Sequence, residues 1–275
     1  MTHNILEKRT AHGCEYNYVR VLTTLSRVIA ILLLCLLTSS ITYGQRVVKR
    51  QQQSKPATQG STGTVKKNPQ ATVTTGEYVD LGLPSGTLWA TKNIGANKPE
   101  EYGDYFAWGE TKPKKEYTWE TYKWCNGTSD YMTKYNNNET YGTVDNKSEL
   151  DLEDDAAYVN RGNSWRMPSN EQFEELVRNC NWTRTRYKGV YGYMIKGKNG
   201  KSIFLPSGGK GDDTEQERKS SGFGFYWTRN APTKQWWNIN PEGMAYLYWL
   251  YVNNGIGENI FSRFRGLNIR PVRNK

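Results

Sequence analysis

The stretch that decides the fold reads Trp165-Arg166-Met167-Pro168-Ser169-Asn170-Glu171-Gln172-Phe173-Glu174-Glu175-Leu176. Ser169 has the position and chemistry of an N-cap, and Gln172 follows three residues later, so each side chain can bond the other's backbone N–H in a capping box. Phe173 and Leu176 fall on one face of the helix that would follow. The stretch therefore predicts an amphipathic helix that begins directly after Ser169.

Residues 1–44 have the pattern of an export signal. Arg20 and Arg27 precede an apolar run over 28–37, and Thr42-Tyr43-Gly44 supplies small residues at a cleavage site before Gln45. A membrane span needs about 20 apolar residues, so this shorter run favours a cleaved signal. We therefore expect Sec-dependent export to the cell surface, the outer membrane or the medium, with no transmembrane span after cleavage.

Cleavage of the signal would remove both histidines of the chain, His3 and His12. A mature protein without histidine cannot use a histidine general base, a Ser-His-Asp or Cys-His nucleophile, or a histidine-ligated zinc or iron site. Chemistry that uses only carboxylates or calcium stays open.

The charge of the chain is unevenly distributed. Residues 1–76 contain ten Lys or Arg and two acids, whereas residues 77–275 contain 27 Lys or Arg and 25 acids. A nucleic-acid interface needs clustered positive charge on the folded domain itself. The nearly neutral C-terminal part therefore predicts that nucleic acid is not a partner.

A change in composition near residue 76 marks a domain boundary. Residues 45–76 are rich in Gln, Thr, Ser and Lys, which predicts a disordered linker. All ten tryptophans lie in 77–275, a length suited to one domain.

Cys125 and Cys180 remain after signal cleavage, and an even pair in an oxidising compartment predicts one disulfide, with two separate buried thiols as the alternative.

Strand and turn signals dominate residues 77–275. Tyr191–Lys198 and Lys201–Pro206 flank Asn199-Gly200, a pair that predicts a hairpin with a type I′ turn. Strands are also predicted over 246–252 and around 268–272, on either side of the turn Asn253-Asn254-Gly255. The fold class is therefore predicted to be α+β, with few short helices and many short strands.

Residues 151–159 predict a short helix with Asp151 as its N-cap and Leu152, Ala156 and Val159 on one face. Its acids leave a calcium site open, because hard cations prefer several carboxylate oxygens. The favoured interpretation is an acidic helix start that suits the helix dipole. We therefore predict no metal and no cofactor, with calcium as the alternative.

Aromatic residues near the C-terminus form the predicted ligand-binding surface. In a strand over 246–252, Tyr246 and Tyr248 share one face, while Trp249 and Tyr251 share the other. Because only one face must be core, the other can expose rings suited to a sugar or a protein partner, unless loops cover it. The candidate ligand-binding residues are Trp227, Trp236, Trp237, Tyr248, Trp249, Tyr251 and Asn253.

Several motifs carry a resemblance to a known family. They are Glu77-Tyr78-Val79-Asp80-Leu81-Gly82-Leu83-Pro84-Ser85-Gly86-Thr87-Leu88-Trp89-Ala90, Tyr105-Phe106-Ala107-Trp108-Gly109-Glu110, Asp154-Asp155-Ala156-Ala157, Ser202-Ile203-Phe204-Leu205-Pro206 and Ile269-Arg270-Pro271-Val272. In this order they resemble the Fibrobacter succinogenes major paralogous domain family of exported bacterial proteins. The resemblance implies a C-type lectin-like fold of the formylglycine-generating-enzyme type over 77–275.

Departures from related proteins bear on function. Formylglycine-generating enzymes use a cysteine pair near the end of the domain, and the related sulfoxide-forming enzymes use histidines; residues 227–275 contain neither. Asn240-Pro241-Glu242 and Trp237-Asn238-Ile239 do not match the calcium motifs of sugar-binding lectins. We therefore predict an exported binding module without catalytic residues, not an enzyme, whose ligand is a glycan or a surface protein. The alternatives are a carboxylate-dependent carbohydrate-active enzyme and a structural subunit of a surface assembly.

Overall fold

The computed structural model describes residues 76–162, 164–233, 241–251 and 255–275. They all lie in the second of the two units into which the chain divides, Lys67–Lys275. In these ranges the α-helices are α1 (Ala156–Arg161), α2 (Asn170–Asn179) and α3 (Glu215–Ser221). The strands are β1 (Tyr78–Asp80), β2 (Leu88–Ala90), β3 (Asn181–Tyr187), β4 (Val190–Lys196), β5 (Ser202–Pro206), β6 (Phe223–Trp227), β7 (Met244–Tyr251), β8 (Gly255–Ser262) and β9 (Val272–Arg273).

The strands form three small antiparallel sheets, with the orders β1-β2-β9, β3-β4-β5 and β6-β7-β8. Short helices and several small antiparallel sheets confirm the predicted α+β class. In the first sheet Trp89 lies opposite Val272, so the start and the end of the domain are joined by backbone pairing. No helix in the described ranges has both the length and the apolar character needed to cross a bilayer.

The helix predicted after Ser169 is confirmed as α2. Gln172 N donates to Ser169 Oγ at 3.1 Å, and Ser169 N donates to Gln172 Oε1 at 2.9 Å, which is the predicted capping box. Phe173 is buried, with an edge contact to Trp89 at 5.2 Å and a stacked contact to Tyr248 at 4.4 Å between ring centroids. Through Phe173 the helix packs against both the first sheet and β7.

The helix predicted over 151–159 is wrong in its bounds and in its cap. A 3-10 turn covers Leu152–Asp154, and α1 begins only at Ala156. The cap is Asp155, whose side chain accepts from the first backbone N–H groups of α1, while Asp151 makes no capping bond. Ala156 is buried, but Leu152 and Val159 are exposed, so only part of the predicted apolar face is buried. A buried Asp155 interrupts the periodic pattern and restarts the helix.

The predicted hairpin is confirmed, but its type I′ turn is wrong. Strand β4 pairs with β5 up to Lys196 opposite Ser202, which leaves a five-residue loop over 197–201. Only Gly200 in that loop has a positive φ, at +86°. The loop packs against the chain after β1: Asn199 Nδ2 donates to Asp80 O at 2.8 Å, and a Cβ on Gly197 would lie 2.0 Å from Leu81 O. This contact sets the loop geometry.

The predicted Cys125–Cys180 disulfide is wrong, because both residues are free cysteines in different parts of the core. Cys125 lies in a small aromatic cluster with Tyr122, and its thiol donates to Trp119 O at 3.2 Å. Cys180 ends α2 and packs against the cluster that contains Phe173. Burial raises the pKa of the Cys180 thiol to about 11, which keeps it protonated at neutral pH.

Candidate ligand-binding surface

The sheet β6-β7-β8 carries the predicted ligand-binding aromatic residues. Along β6 and β7 the register places Phe223 opposite Tyr251, Phe225 opposite Trp249, and Trp227 opposite Leu247. These residues share one face of the sheet, since alternate residues of a strand point to opposite sides. Tyr248 points to the other face.

Tyr248 and Trp227 belong to the core, so their prediction as ligand-binding residues is wrong. Tyr248 is 4% exposed and stacks on Phe173 of α2. Trp227 is 0% exposed, and its Nε1 donates to Phe106 O at 2.8 Å. A ring with no accessible face cannot stack on a ligand.

Trp249 and Tyr251 are half-buried on the face that reaches solvent, and three phenylalanines extend them. Tyr251 stacks on Phe223 at 4.2 Å with an angle of 8° between the ring planes. Phe223 is 37% exposed and lies parallel to Phe225 at 6.0 Å, and Phe225 contacts Phe261 of β8 at 5.3 Å. We call these five residues, Phe223, Phe225, Trp249, Tyr251 and Phe261, the aromatic row.

A glycine in β8 makes room for the row. Gly257 lies opposite Trp249, and a Cβ at residue 257 would lie 2.8 Å from atoms of the indole ring. Only glycine therefore allows the Trp249 ring to lie across β8. Phe225, Trp249 and Phe261 also pack against a second hydrophobic cluster of the core, which includes Trp227 and Leu247, and this contact holds the row in place.

The three phenylalanines of the row were not among the residues predicted to bind a ligand. The alternation Phe223-Gly224-Phe225 was the available signal, because it predicts two rings on one face of a strand. Three candidates, Trp236, Trp237 and Asn253, lie outside the described residues.

The acidic residues that could form a calcium site, the alternative prediction for 151–159, already have cationic partners. Carboxylate oxygens of Asp151, Glu153 and Asp154 lie within 4.8 Å of one another. Lys134 Nζ lies 2.6 Å from oxygens of both Asp151 and Asp154, and Lys147 Nζ lies 2.6 Å from Asp151. Hydrogen bonds from these two lysines hold the pKa of Asp151 below its ordinary value. A metal ion at this position would have to displace the Lys134 ammonium group.

Two cavities offer polar walls. One of about 490 Å³ is lined by Asn137, Glu139, Tyr141 and Glu242, among other residues. Glu242 is buried, and its Oε2 accepts from Asn137 N at 2.9 Å. The other cavity, of about 550 Å³, lies beside α1 and the start of α2 and is rich in arginine.

Comparison of the chain with family models, curated proteins and solved structures finds no match. The aromatic row and the two cavities are therefore the features from which a function can be inferred.

Proposed function

We propose that the protein is an exported, non-catalytic binding module that presents its aromatic row to a surface protein. The single observation that carries this proposal is the row itself, a set of packed rings on one face of the sheet β6-β7-β8, of which Phe223 is exposed and the other four are half-buried. Aromatic residues anchored in a packed surface are the usual hot spots of protein interfaces.

The ring geometry favours a protein over a glycan among the two ligand classes. Phe223 and Tyr251 each cover one face of the other at 4.2 Å, and Phe223 also lies parallel to Phe225, so this pair has fewer open ring faces than two separate rings would have. A sugar ring stacks on an open aromatic face, whereas apolar side chains of a protein pack well against edges. The proposed partner is therefore a protein with an apolar patch that matches the row.

The family resemblance supports the same proposal. The motif Glu77–Ala90 forms β1 and β2, and Ile269–Val272 leads into β9 of the same sheet. Asp155 of the motif Asp154–Ala157 accepts a hydrogen bond from Met167 N, which lies in the stretch Trp165–Leu176. Because the recurring motifs meet one another in the fold, we propose a C-type lectin-like domain of the Fibrobacter succinogenes major paralogous type. An experimental structure with a different strand order would contradict this assignment.

Substitutions in the row test the binding proposal. The double variant Trp249→Ala, Tyr251→Ser is compared with Tyr131→Ser, which changes an aromatic residue that is exposed but outside the row. Both are assayed against arrays of surface proteins and of glycans, and circular dichroism checks their folding. We expect protein binding that the double variant loses and Tyr131→Ser retains. Binding to glycans alone, or no binding to either array, would refute the proposal.

Export is tested separately. We expect cell fractionation to place the protein outside the cytoplasm and N-terminal sequencing of the purified protein to begin at Gln45. A cytoplasmic protein that retains residues 1–44 would contradict this part of the proposal.

One observation favours a second function, a carboxylate-dependent carbohydrate-active enzyme. Glu139 and Glu242 line the same cavity, and glycoside hydrolysis uses two carboxyl groups across a cleft. The bond from Asn137 N gives Glu242 a structural role as well. Turnover of a glycoside that Glu242→Gln abolishes, without loss of folding, would establish the enzyme.

A structural role in a surface assembly is the third possibility. Among the strands that the structure describes, β8 lies at the edge of its sheet, and an edge strand can pair with another chain. Concentration-dependent association in analytical ultracentrifugation, blocked by a proline in β8, would support it.

A further inference from the structure

Three arginines line the cavity of about 550 Å³ that lies between α1, the start of α2 and the end of the chain. Arg166 precedes α2, Arg229 follows β6, and Arg273 lies in β9. Ser164, Gln172 and Asn274 add neutral polar groups to the wall. The volume falls within the range of about 300–1,000 Å³ that small-molecule sites occupy.

Two of these arginines are fixed in place by the protein. Arg166 Nε donates to Asp155 Oδ2 at 2.8 Å, and Arg229 Nη1 donates to Gln172 Oε1 at 2.9 Å. Glu149 forms an ion pair with Arg229. Guanidinium groups held by such bonds lose little freedom when a ligand binds, so this part of the wall is preorganised.

Arg273 differs from the other two. Its guanidinium group lies over the rings of Tyr78 and Trp165, with distances of 4.9 and 5.7 Å to the ring centroids. Its Nε is buried and has no hydrogen-bond acceptor in the part of the chain that the structure describes. Arg273 therefore lines the cavity without a protein acceptor for this donor, whereas Arg166 and Arg229 are bonded to Asp155 and Gln172.

The charges around the cavity select the class of ligand. Among the residues that the structure describes, ion pairs join Arg166 to Asp155 and Arg229 to Glu149, and none joins an acid to Arg273. One uncompensated charge matches a monoanion better than a doubly charged phosphate. The planar guanidinium group of Arg273 also matches the two oxygens of a carboxylate.

We propose that this cavity binds a small sugar acid, with the carboxylate on Arg273 and hydroxyl groups on the neutral polar wall. This site is independent of the aromatic row, and it requires no catalysis. The failure of protein binding at the row would leave it untouched.

The test uses the full-length chain with D-glucuronate, D-glucose and inorganic phosphate as probes. Proton–nitrogen NMR spectra of the arginine Nε–H groups report binding directly at Arg273. We expect glucuronate to shift the Arg273 signal saturably, while glucose at the same concentration leaves it unchanged. Equal responses to glucose and glucuronate, saturable binding of phosphate alone, or no response to glucuronate would each overturn the proposal.

Two substitutions sharpen the test. Arg273→Gln should weaken glucuronate binding by at least about tenfold, because a hydrogen bond to a charged group contributes about 1.5–3 kcal/mol. Arg186→Gln is the matched control, since Arg186 also lies over a tyrosine ring but does not line the cavity. Unchanged affinity in Arg273→Gln, or an equal loss in both variants, would also overturn the proposal. If Arg273→Gln unfolds, Arg273→Lys keeps the charge without the planar group and should show the same loss.

Discussion

Asp155→Asn is expected to destabilise the domain strongly, because this buried carboxylate joins two segments that the chain must bring together. Asp155 is 0% exposed. Its Oδ1 accepts from Ala157 N at 2.9 Å and from Tyr158 N at 3.1 Å, which caps α1. Its oxygens also accept from Met167 N at 3.0 Å and from Arg166 Nε at 2.8 Å, in the stretch that leads into α2.

The expected loss in the free energy of unfolding follows from the hydrogen bonds that asparagine cannot accept. The amide retains one acceptor oxygen and turns an NH₂ group toward donors, so at least one backbone N–H or the Arg166 guanidinium group is left buried without its acceptor. A buried backbone N–H without its acceptor costs about 1–3 kcal/mol, whereas water can reach the Arg166 side chain, which is 31% exposed. A domain has a total free energy of unfolding of about 5–15 kcal/mol, so the loss is a large fraction of it.

Urea unfolding followed by tryptophan fluorescence measures this loss by linear extrapolation. The matched control is Asp151→Asn, which removes the same charge from a partly exposed residue paired with Lys134 and Lys147. The control should cost no more than about 1 kcal/mol. A loss below about 1 kcal/mol for Asp155→Asn, or equal losses in the two variants, would refute the reasoning.

Three further predictions concern other parts of the fold. Cys125 and Cys180 should both be alkylated in denaturant without reductant, as mass spectrometry of the peptides can show; resistance of the pair would mean a disulfide. Burial raises the pKa of Tyr226 to about 12, so the unfolded state should lose its phenol proton first, near pH 10. The contribution of Tyr226 to stability should hold below that pH and fall by roughly 3 kcal/mol as the pH rises from about 10 to about 12, so urea unfolding of Tyr226→Phe should show a smaller fall than the wild type by about this amount. Gly257→Val should push the Trp249 ring aside and cost about 1–3 kcal/mol, with a shifted tryptophan emission spectrum; an unchanged spectrum would contradict the assigned contact.

Local signals in the sequence predicted structure well where both partners of an interaction lie close together in the chain. Ser169 and Gln172 are three residues apart, and their capping box is present as predicted. The segment 151–159 was mispredicted because its decisive residue, Asp155, takes bonds from Arg166 and Met167. Those donors lie in another segment, and no short pattern reveals them.

The aromatic surface shows the same limit at the level of the sheet. Alternation along β7 correctly separated Tyr248 from Trp249 and Tyr251. The burial of Tyr248 depends on Phe173 of α2, a residue far away in the sequence that stacks on its ring. Pairing of β6 with β7 is equally non-local, and it supplies Phe223 to the exposed face. Periodicity therefore divides the residues of a strand into two sets, and packing decides which residues of each set are buried.

The contacts between the aromatic row and the core also affect the entropic cost of binding a partner. Trp249 is held over Gly257 and against the second hydrophobic cluster, so its ring is ordered before any partner arrives. Ordering a flexible side chain at an interface costs about 0.5–1.5 kcal/mol, and a fixed ring avoids that cost. Gly257 should therefore matter for affinity although it presents no side chain to a ligand. A surface built in this way suits recognition by contact, because its shape is set by the core and not by the partner.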